Sequence, residues 1–172
     1  DVRRLERHLP LVVQVVLFYD QHYSTGPDGR LLIFPTQALE TFWCAYPRWP
    51  PNGTQDCLSN DHPTVAGLHS VLERALAYSA EVLRAPPATP AGGSLRLRRA
   101  LLAERPLWQR LQARLPELPL STADDPAGLD VLVSPYASYP RDSQIHNSET
   151  PELYSVHPFR LLTLGRALAQ RD

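Results

Sequence analysis

Lysine and methionine are both absent from this chain, and all 17 of its cationic residues are arginine. With abundant alanine, leucine and proline, that bias reads as gene composition rather than chemistry. Surplus charge is missing as well: the net charge is −1 and the pI about 6.7. A neutral balance gives no reason to expect nucleic acid or an anionic membrane as partner. Long apolar runs are absent. The longest, Leu9 to Tyr19, is interrupted by Gln14 and is too short to span a bilayer. There is no fixed-period repeat, no Gly-rich phosphate loop and no metal-ligand spacing among the 6 histidines, so neither a metal nor another cofactor is expected. No targeting segment opens the chain. Together with the missing methionine, this leads to the expectation that the chain is an excerpt from a larger protein.

What is plentiful is proline, at 18 residues about twice the usual share, so long irregular connections are expected. Leu9 to Tyr23 reads as a helix with Pro10 in its first turn, although Val12, Val13, Val15 and Val16 would also suit a strand. Ser24 to Gly29 is turn chemistry, and Arg30 to Pro35 a short extended piece. The clearest helix is capped by Asn60 or Asp61, has Pro63 in its first turn, and keeps Val65, Leu68, Val71, Leu72, Leu76, Val82 and Leu83 on an apolar face. Ala85 to Gly93 reads as a flexible linker. Another helical stretch, marked by Leu95, Leu101, Leu102, Trp108, Leu111 and Leu115, is expected to bend or split at Pro106. Leu129 to Val133 suits a short strand and Phe159 to Gln170 a last amphipathic helix. The expected class is mainly all-α, with helical hairpins and polar loops.

The two cysteines, Cys44 and Cys57, flank Pro47, Pro50, Pro51 and the sequon Asn52-Gly53-Thr54. A bond between them would close a short loop and stabilise it by roughly 3 kcal/mol. A sequon in the same loop points to an extracellular or secretory setting. Two free thiols and a chance sequon are the alternative.

The most informative stretch is Asn147 to Arg160, which gathers two carboxylates, an amide, an imidazole, a guanidinium and two aromatics within 14 residues. Sugars present hydroxyl rims and apolar C–H faces together, so a surface mixing Asn147, Glu149, Glu152, His157 and Arg160 with Tyr154 and Phe159 suits a sugar-binding cleft. A buried polar turn that satisfies its own backbone is the bland alternative.

Two stretches resemble a known family. Leu31-Leu32-Ile33-Phe34-Pro35-Thr36-Gln37-Ala38-Leu39-Glu40-Thr41-Phe42 is similar to a segment ending in P-x-x-A-x-E-x-[FWY], and Asn147 to Arg160 resembles N-x-E-x-P-E-L-Y-x-V-x-P-F-R. Both resemble large secreted proteins of the six-hairpin glycosidase superfamily, (α/α)6 toroids distantly similar to inverting α-L-fucosidases. The Pro63 to Leu76 helix fits the same pattern. The resemblance implies that residues 1–172 are part of a single toroid domain, and that Glu40 corresponds to the general acid. It also implies an oligosaccharide or glycoside substrate, with the remainder of the toroid as partner. The chain departs from those relatives where a histidine-rich stretch is replaced by Asn147, Glu149 and Glu152, so fucose specificity does not carry over.

Inverting hydrolysis needs an acid to protonate the leaving oxygen and a base to activate water, about 6.5–9.5 Å apart. The acid is kept protonated by an apolar pocket, which Leu39, Phe42 and Trp43 would supply to Glu40. A helix-start capping glutamate is the alternative for Glu40. Glu149, Glu152 and Asp142 compete as base, and Glu152 could instead pair with Arg160. Trp43, Tyr46 and Trp49 could form a stacking platform, while Asn147, Tyr154, His157 and Arg160 would contact the sugar. His146 and His157 read as hydrogen-bonding residues rather than metal ligands. Non-catalytic carbohydrate binding, or a helical domain with merely structural loops, is the competing function. A closed toroid needs about a dozen helices, so these residues alone are expected to be inactive and to expose apolar surface. Peptide mapping of protein alkylated without reduction should recover Cys44 and Cys57 on linked peptides. Alkylated thiol at both positions would exclude the bond.

Overall fold

A computed structural model describes residues 2–42, 57–87, 89, 91–119 and 147–162. Among them the chain is mainly helical: α1 (Val2–His22), α2 (His62–Arg84), α3 (Leu95–Arg114) and a short 3-10 helix (Pro151–Ser155). One antiparallel pair joins β1 (Ser24–Thr25) to β2 (Leu31–Leu32), with Ser24 opposite Leu32 and Thr25 opposite Leu31. The fold divides into two compact units: Asp1–Tyr23 with Val71–Leu115, and Ser24–Ser70 with Pro116–Asp172.

The first unit is a set of three helical segments. Leu9 and Val16 of α1, Leu72 and Val82 of α2, and Leu97, Leu101, Leu107, Trp108 and Leu111 of α3 are buried. The spacing on α3 follows one helical stripe, which leaves Leu95 and Leu102 on the opposite side and exposed. On α2, Val71 is likewise exposed, because it lies about 100° around the helix from Leu72. Of these, Val71 was expected on the apolar face of its helix; the phase of the buried stripe puts it outside.

Polar contacts set the helix directions. Ser94, the α3 N-cap, accepts from the Leu97 N–H at 3.0 Å and donates to Glu6 Oε1 at 2.6 Å. At the other end Asp20 receives Arg110 at 2.9 Å and Arg114 at 3.1 Å. Start meets start and end meets end, so α1 and α3 run side by side in the same direction. Arg98, near the start of α3, donates to the carbonyls of Val82 (2.6 Å), Leu83 (2.9 Å) and Ala85 (2.9 Å), so α2 runs the opposite way. Those carbonyls belong to the α2 C-terminus, whose orphan acceptors a guanidinium fork satisfies together.

The helices differ from expectation in two respects. α1 begins at Val2, so Pro10 is interior rather than in the first turn, and the valine-rich stretch is helix rather than strand. Pro106 does not split α3, which runs unbroken from Leu95 to Arg114. Between α2 and α3 the described residues form a bonded turn: the Thr89 hydroxyl donates to Pro86 O at 2.8 Å and accepts from Gly92 N at 3.0 Å. A Cβ at Gly92 would stand 2.0 Å from Pro86 O, so only glycine fits.

In the second unit the β1–β2 turn is closed by Gly26 N to Arg30 O at 2.7 Å and Gly29 N to Gly26 O at 3.0 Å, with Gly29 at φ 77°. The chain after β2 is stitched to the segment before α2. Asn60 Oδ1 accepts from Ile33 N and Asn60 N donates to Ile33 O, both at 2.9 Å, while Thr36 N donates to Leu58 O at 3.1 Å. Ala38, Phe42 and Leu58 pack as one buried cluster. Phe159 to Leu162 is not helical, so the last expected helix does not start at Phe159; residues beyond Leu162, and Leu129 to Val133, lie outside the described residues.

Replacing Arg98 by alanine would orphan the α2 carbonyls and should cost about 2 kcal/mol. Arg98→Lys should recover only part of that, because an ammonium lacks the planar fork. Thermal melts of both variants check this, and an unchanged midpoint for Arg98→Ala would refute it.

Candidate functional site

The Glu40 segment is a tight loop rather than a helix start. Ala38 and Phe42 exchange backbone hydrogen bonds (3.1 and 3.3 Å), leaving Leu39, Glu40 and Thr41 between them. Leu39 holds φ 54°, a conformation that strains a residue with a branched side chain. Glu40 is exposed, so the described residues supply neither the apolar enclosure nor the helix cap considered for it. Turn geometry explains this: with its two ends buried as Ala38 and Phe42, the loop turns its middle outward.

Thr41 points the other way and is 2 % exposed. Its hydroxyl lies 2.5 Å from Asn147 Oδ1 and 3.3 Å from Glu149 O. The same Asn147 oxygen accepts from Glu149 N at 3.0 Å, and Asn147 Nδ2 donates to Glu149 Oε2 at 3.2 Å. Asn147 therefore orients the Glu149 backbone and carboxylate together. Through Thr41, the two stretches picked out in the sequence meet. With one peptide step of 3.8 Å, the Thr41–Glu149 contact limits the Glu40 and Glu149 Cα atoms to at most about 12 Å apart. Glu149 is exposed as well.

The 3-10 helix carries the remaining candidates. Glu152 Oε2 is buried with no hydrogen-bond partner, and Glu152 forms no salt bridge with Arg160 among the described residues. Tyr154 is half-buried with its ring centroid 6.0 Å from that of Phe159. His157 and Arg160 are exposed, Arg160 at φ 56°. Phe159 ties the segment to α2: its ring would meet a Cβ at Gly67 at 3.1 Å, and its carbonyl accepts from Ser70 Oγ at 3.0 Å. Trp43, Cys44, Tyr46, Trp49, Asn52, Asp142 and His146 lie outside the described residues. Cys57 is buried. Among the described residues no three His, Cys, Asp or Glu side chains could hold a metal ion.

No protein-family model, curated protein sequence or solved structure matches this chain.

Two neighbouring groups at the start of α2 carry perturbed electrostatics. Asp61 is the helix cap, accepting from Thr64 N at 3.0 Å and from the Thr36 hydroxyl at 2.5 Å. Burial nevertheless raises its pKa above the usual carboxylate value, and these hydrogen bonds pull it back only in part. His62 is fully buried, neither ring nitrogen has a partner, and burial lowers its pKa to about 4. Sequence reading offered Asn60 or Asp61 as the cap but missed His62, since a histidine after a cap carries no signal of burial. It also missed Thr41, which looks like any loop hydroxyl.

The His62 shift sets a pH dependence. An unfolded chain protonates this histidine near 6.5, whereas the folded one resists until about 4. Stability is therefore full above pH 6.5 and declines by up to roughly 3 kcal/mol as pH falls toward 4. Asp61 opposes part of that loss, because its raised pKa favours the folded state as it takes up a proton. Denaturant midpoints between pH 4 and 7 should fall with acid in the wild type and stay flatter in His62→Leu. Equal acid sensitivity in both would show that His62 is not the group responsible.

Proposed function

We propose that this chain is part of a secreted, (α/α)6-type carbohydrate-active domain that hydrolyses glycosidic bonds by inversion. The observation that carries the reading is the Thr41 hydroxyl, held by Asn147 and Glu149, which brings the Glu40 loop and the Asn147–Arg160 segment together. In this proposal Glu40 protonates the leaving oxygen and Glu149 activates water. The bound of about 12 Å on their Cα separation is compatible with the roughly 6.5–9.5 Å between carboxyl groups that inversion requires. Asn147 holds Glu149 in place, while Tyr154, His157 and Arg160 would line the sugar, with Trp43, Tyr46 and Trp49 as the stacking platform. The strained backbone at Leu39 and Arg160 supports a functional reading, since such conformations concentrate at binding and catalytic sites. Glu152, with one carboxylate oxygen buried and unpartnered, is the alternative base. The Cys44–Cys57 bond and glycosylation at Asn52 belong to the same reading.

The exposure of Glu40 favours a second reading, a carbohydrate-binding module without catalysis, because an acid open to water lacks the enclosure that keeps such a group protonated. Turnover of an aryl-glycoside panel by the full-length protein, with oligosaccharide binding measured in parallel, separates the two. Glu40→Gln and Glu149→Gln should each lower turnover by about 10²-fold or more while leaving binding nearly unchanged. Full turnover by both variants refutes the catalytic assignment. Binding without turnover in the wild type supports the second reading.

A further inference from the structure

α1 presents a face that its own unit leaves uncovered. Leu9 and Val16 are buried, and Asp20 is held by Arg110 and Arg114. On another side of the helix Leu11, Val15 and Phe18 are 65 %, 41 % and 48 % exposed. Spacings of four and three residues stack them along one stripe. Arg4, Arg7 and His8, all exposed, share an arc of about 100° with that stripe. His22 closes it, its ring stacked on Phe18 with centroids 4.6 Å apart. Single exposed apolar residues need no explanation. Three in register, at i, i+4 and i+7, match the anchor pattern of helix-mediated recognition.

Charge specifies the partner. The first turn of α1 contains no acidic residue, and Arg3, Arg4 and Arg7 crowd the positive end of its dipole. The helix has two acids and both are engaged, Glu6 by Ser94 and Asp20 by the two arginines. Arg4 and Arg7 form no ion pair among the described residues. An anionic group brought here would relieve the repulsion and complete the surface. A second copy packed α1 against α1 does not supply one. Antiparallel pairing of two α1 stripes sets the arginines beside Gln21 and His22, and parallel pairing sets them against each other. A lipid surface is matched by cations flanking an apolar stripe along its length, whereas here they gather at one end.

We infer that this face of α1 docks an amphipathic helix of a partner protein, with its apolar stripe on Leu11, Val15 and Phe18 and acidic side chains on Arg4 and Arg7. A synthetic Leu/Glu helix of about five turns, with glutamates clustered at one end, tests this by fluorescence anisotropy against the full-length protein. It should bind with an affinity that falls as salt rises, and a matching Leu/Lys helix should not bind. Arg4→Glu with Arg7→Glu should weaken binding about tenfold or more, a difference of about 1.4 kcal/mol or greater. Acids at that end favour the helix dipole, so folding is not the reason for the loss. Phe18→Asp, checked for retained helix by circular dichroism, should abolish binding. Equal binding of both peptides, or of neither, overturns the inference. So does preferential binding to phosphatidylserine vesicles, or a concentration-dependent dimer that Phe18→Asp dissolves.

Discussion

The Asp61 carboxylate is the constraint on which the second unit depends. One of its oxygens caps α2 through Thr64 N and the other takes the Thr36 hydroxyl, while Asn60 beside it clamps Ile33 from both backbone directions. The start of a helix and the segment that follows β2 are thereby locked at one point. From Thr36 the chain reaches the Ala38–Phe42 loop within two residues, so the position of Glu40 follows from the cap. From Asp61 the first three turns of α2 deliver Gly67 and Ser70 to Phe159 and fix the far end of the other candidate segment. A residue that looks like routine helix capping thus places both carboxylate-bearing stretches. Arg98 has the corresponding role in the first unit, where a single guanidinium gathers the end of α2 and sets the direction of α3. In both units a charged side chain satisfies backbone groups at a helix terminus, where regular hydrogen bonding runs out.

The polar groups that find no partner are equally informative. His62, Trp108 Nε1 and Glu152 Oε2 are buried without hydrogen bonds, each a cost of about 1–3 kcal/mol that packing must offset. Trp108 fills the interior of the first unit, and the area its ring removes from water exceeds the penalty on one N–H. His62 avoids the larger penalty of a buried charge by remaining neutral. Glu152 differs, because its bare oxygen lies in the segment richest in hydrogen-bonding side chains.

The local elements were largely legible in the residues themselves. Gly26 to Gly29 carries its turn chemistry openly, although Ser24 and Thr25, read as part of that turn, form β1; Pro63 behind Asp61 marks a helix start, and the connection at 85–93 announces itself by proline and glycine. Faces were less legible at their edges. Val71, Leu95 and Leu102 are apolar residues on the wrong side of their helices, and only the phase of the buried stripe reveals it. The surroundings of Glu40 were less legible for a related reason. Apolar neighbours in sequence suggested a pocket, yet in a tight loop adjacent side chains point apart, so Phe42 is buried and Glu40 exposed.

By itself the sequence determined the class of this protein, its helix-rich pattern, the residues able to cap and turn it, and the absence of a helix long and apolar enough to cross a membrane among the described residues. Those properties depend on periodicity and on contacts a few residues apart, which any reader of the chain can count. Tertiary structure alone decided that Thr41 reaches Asn147 across 106 residues, that His62 is sealed from water, and that Leu11, Val15 and Phe18 are left open while Leu9 and Val16 are covered. The physical reason is that burial and long-range hydrogen bonding belong to pairs of segments. A side chain's type states what it can do, and only the neighbour brought to it by the fold states what it does.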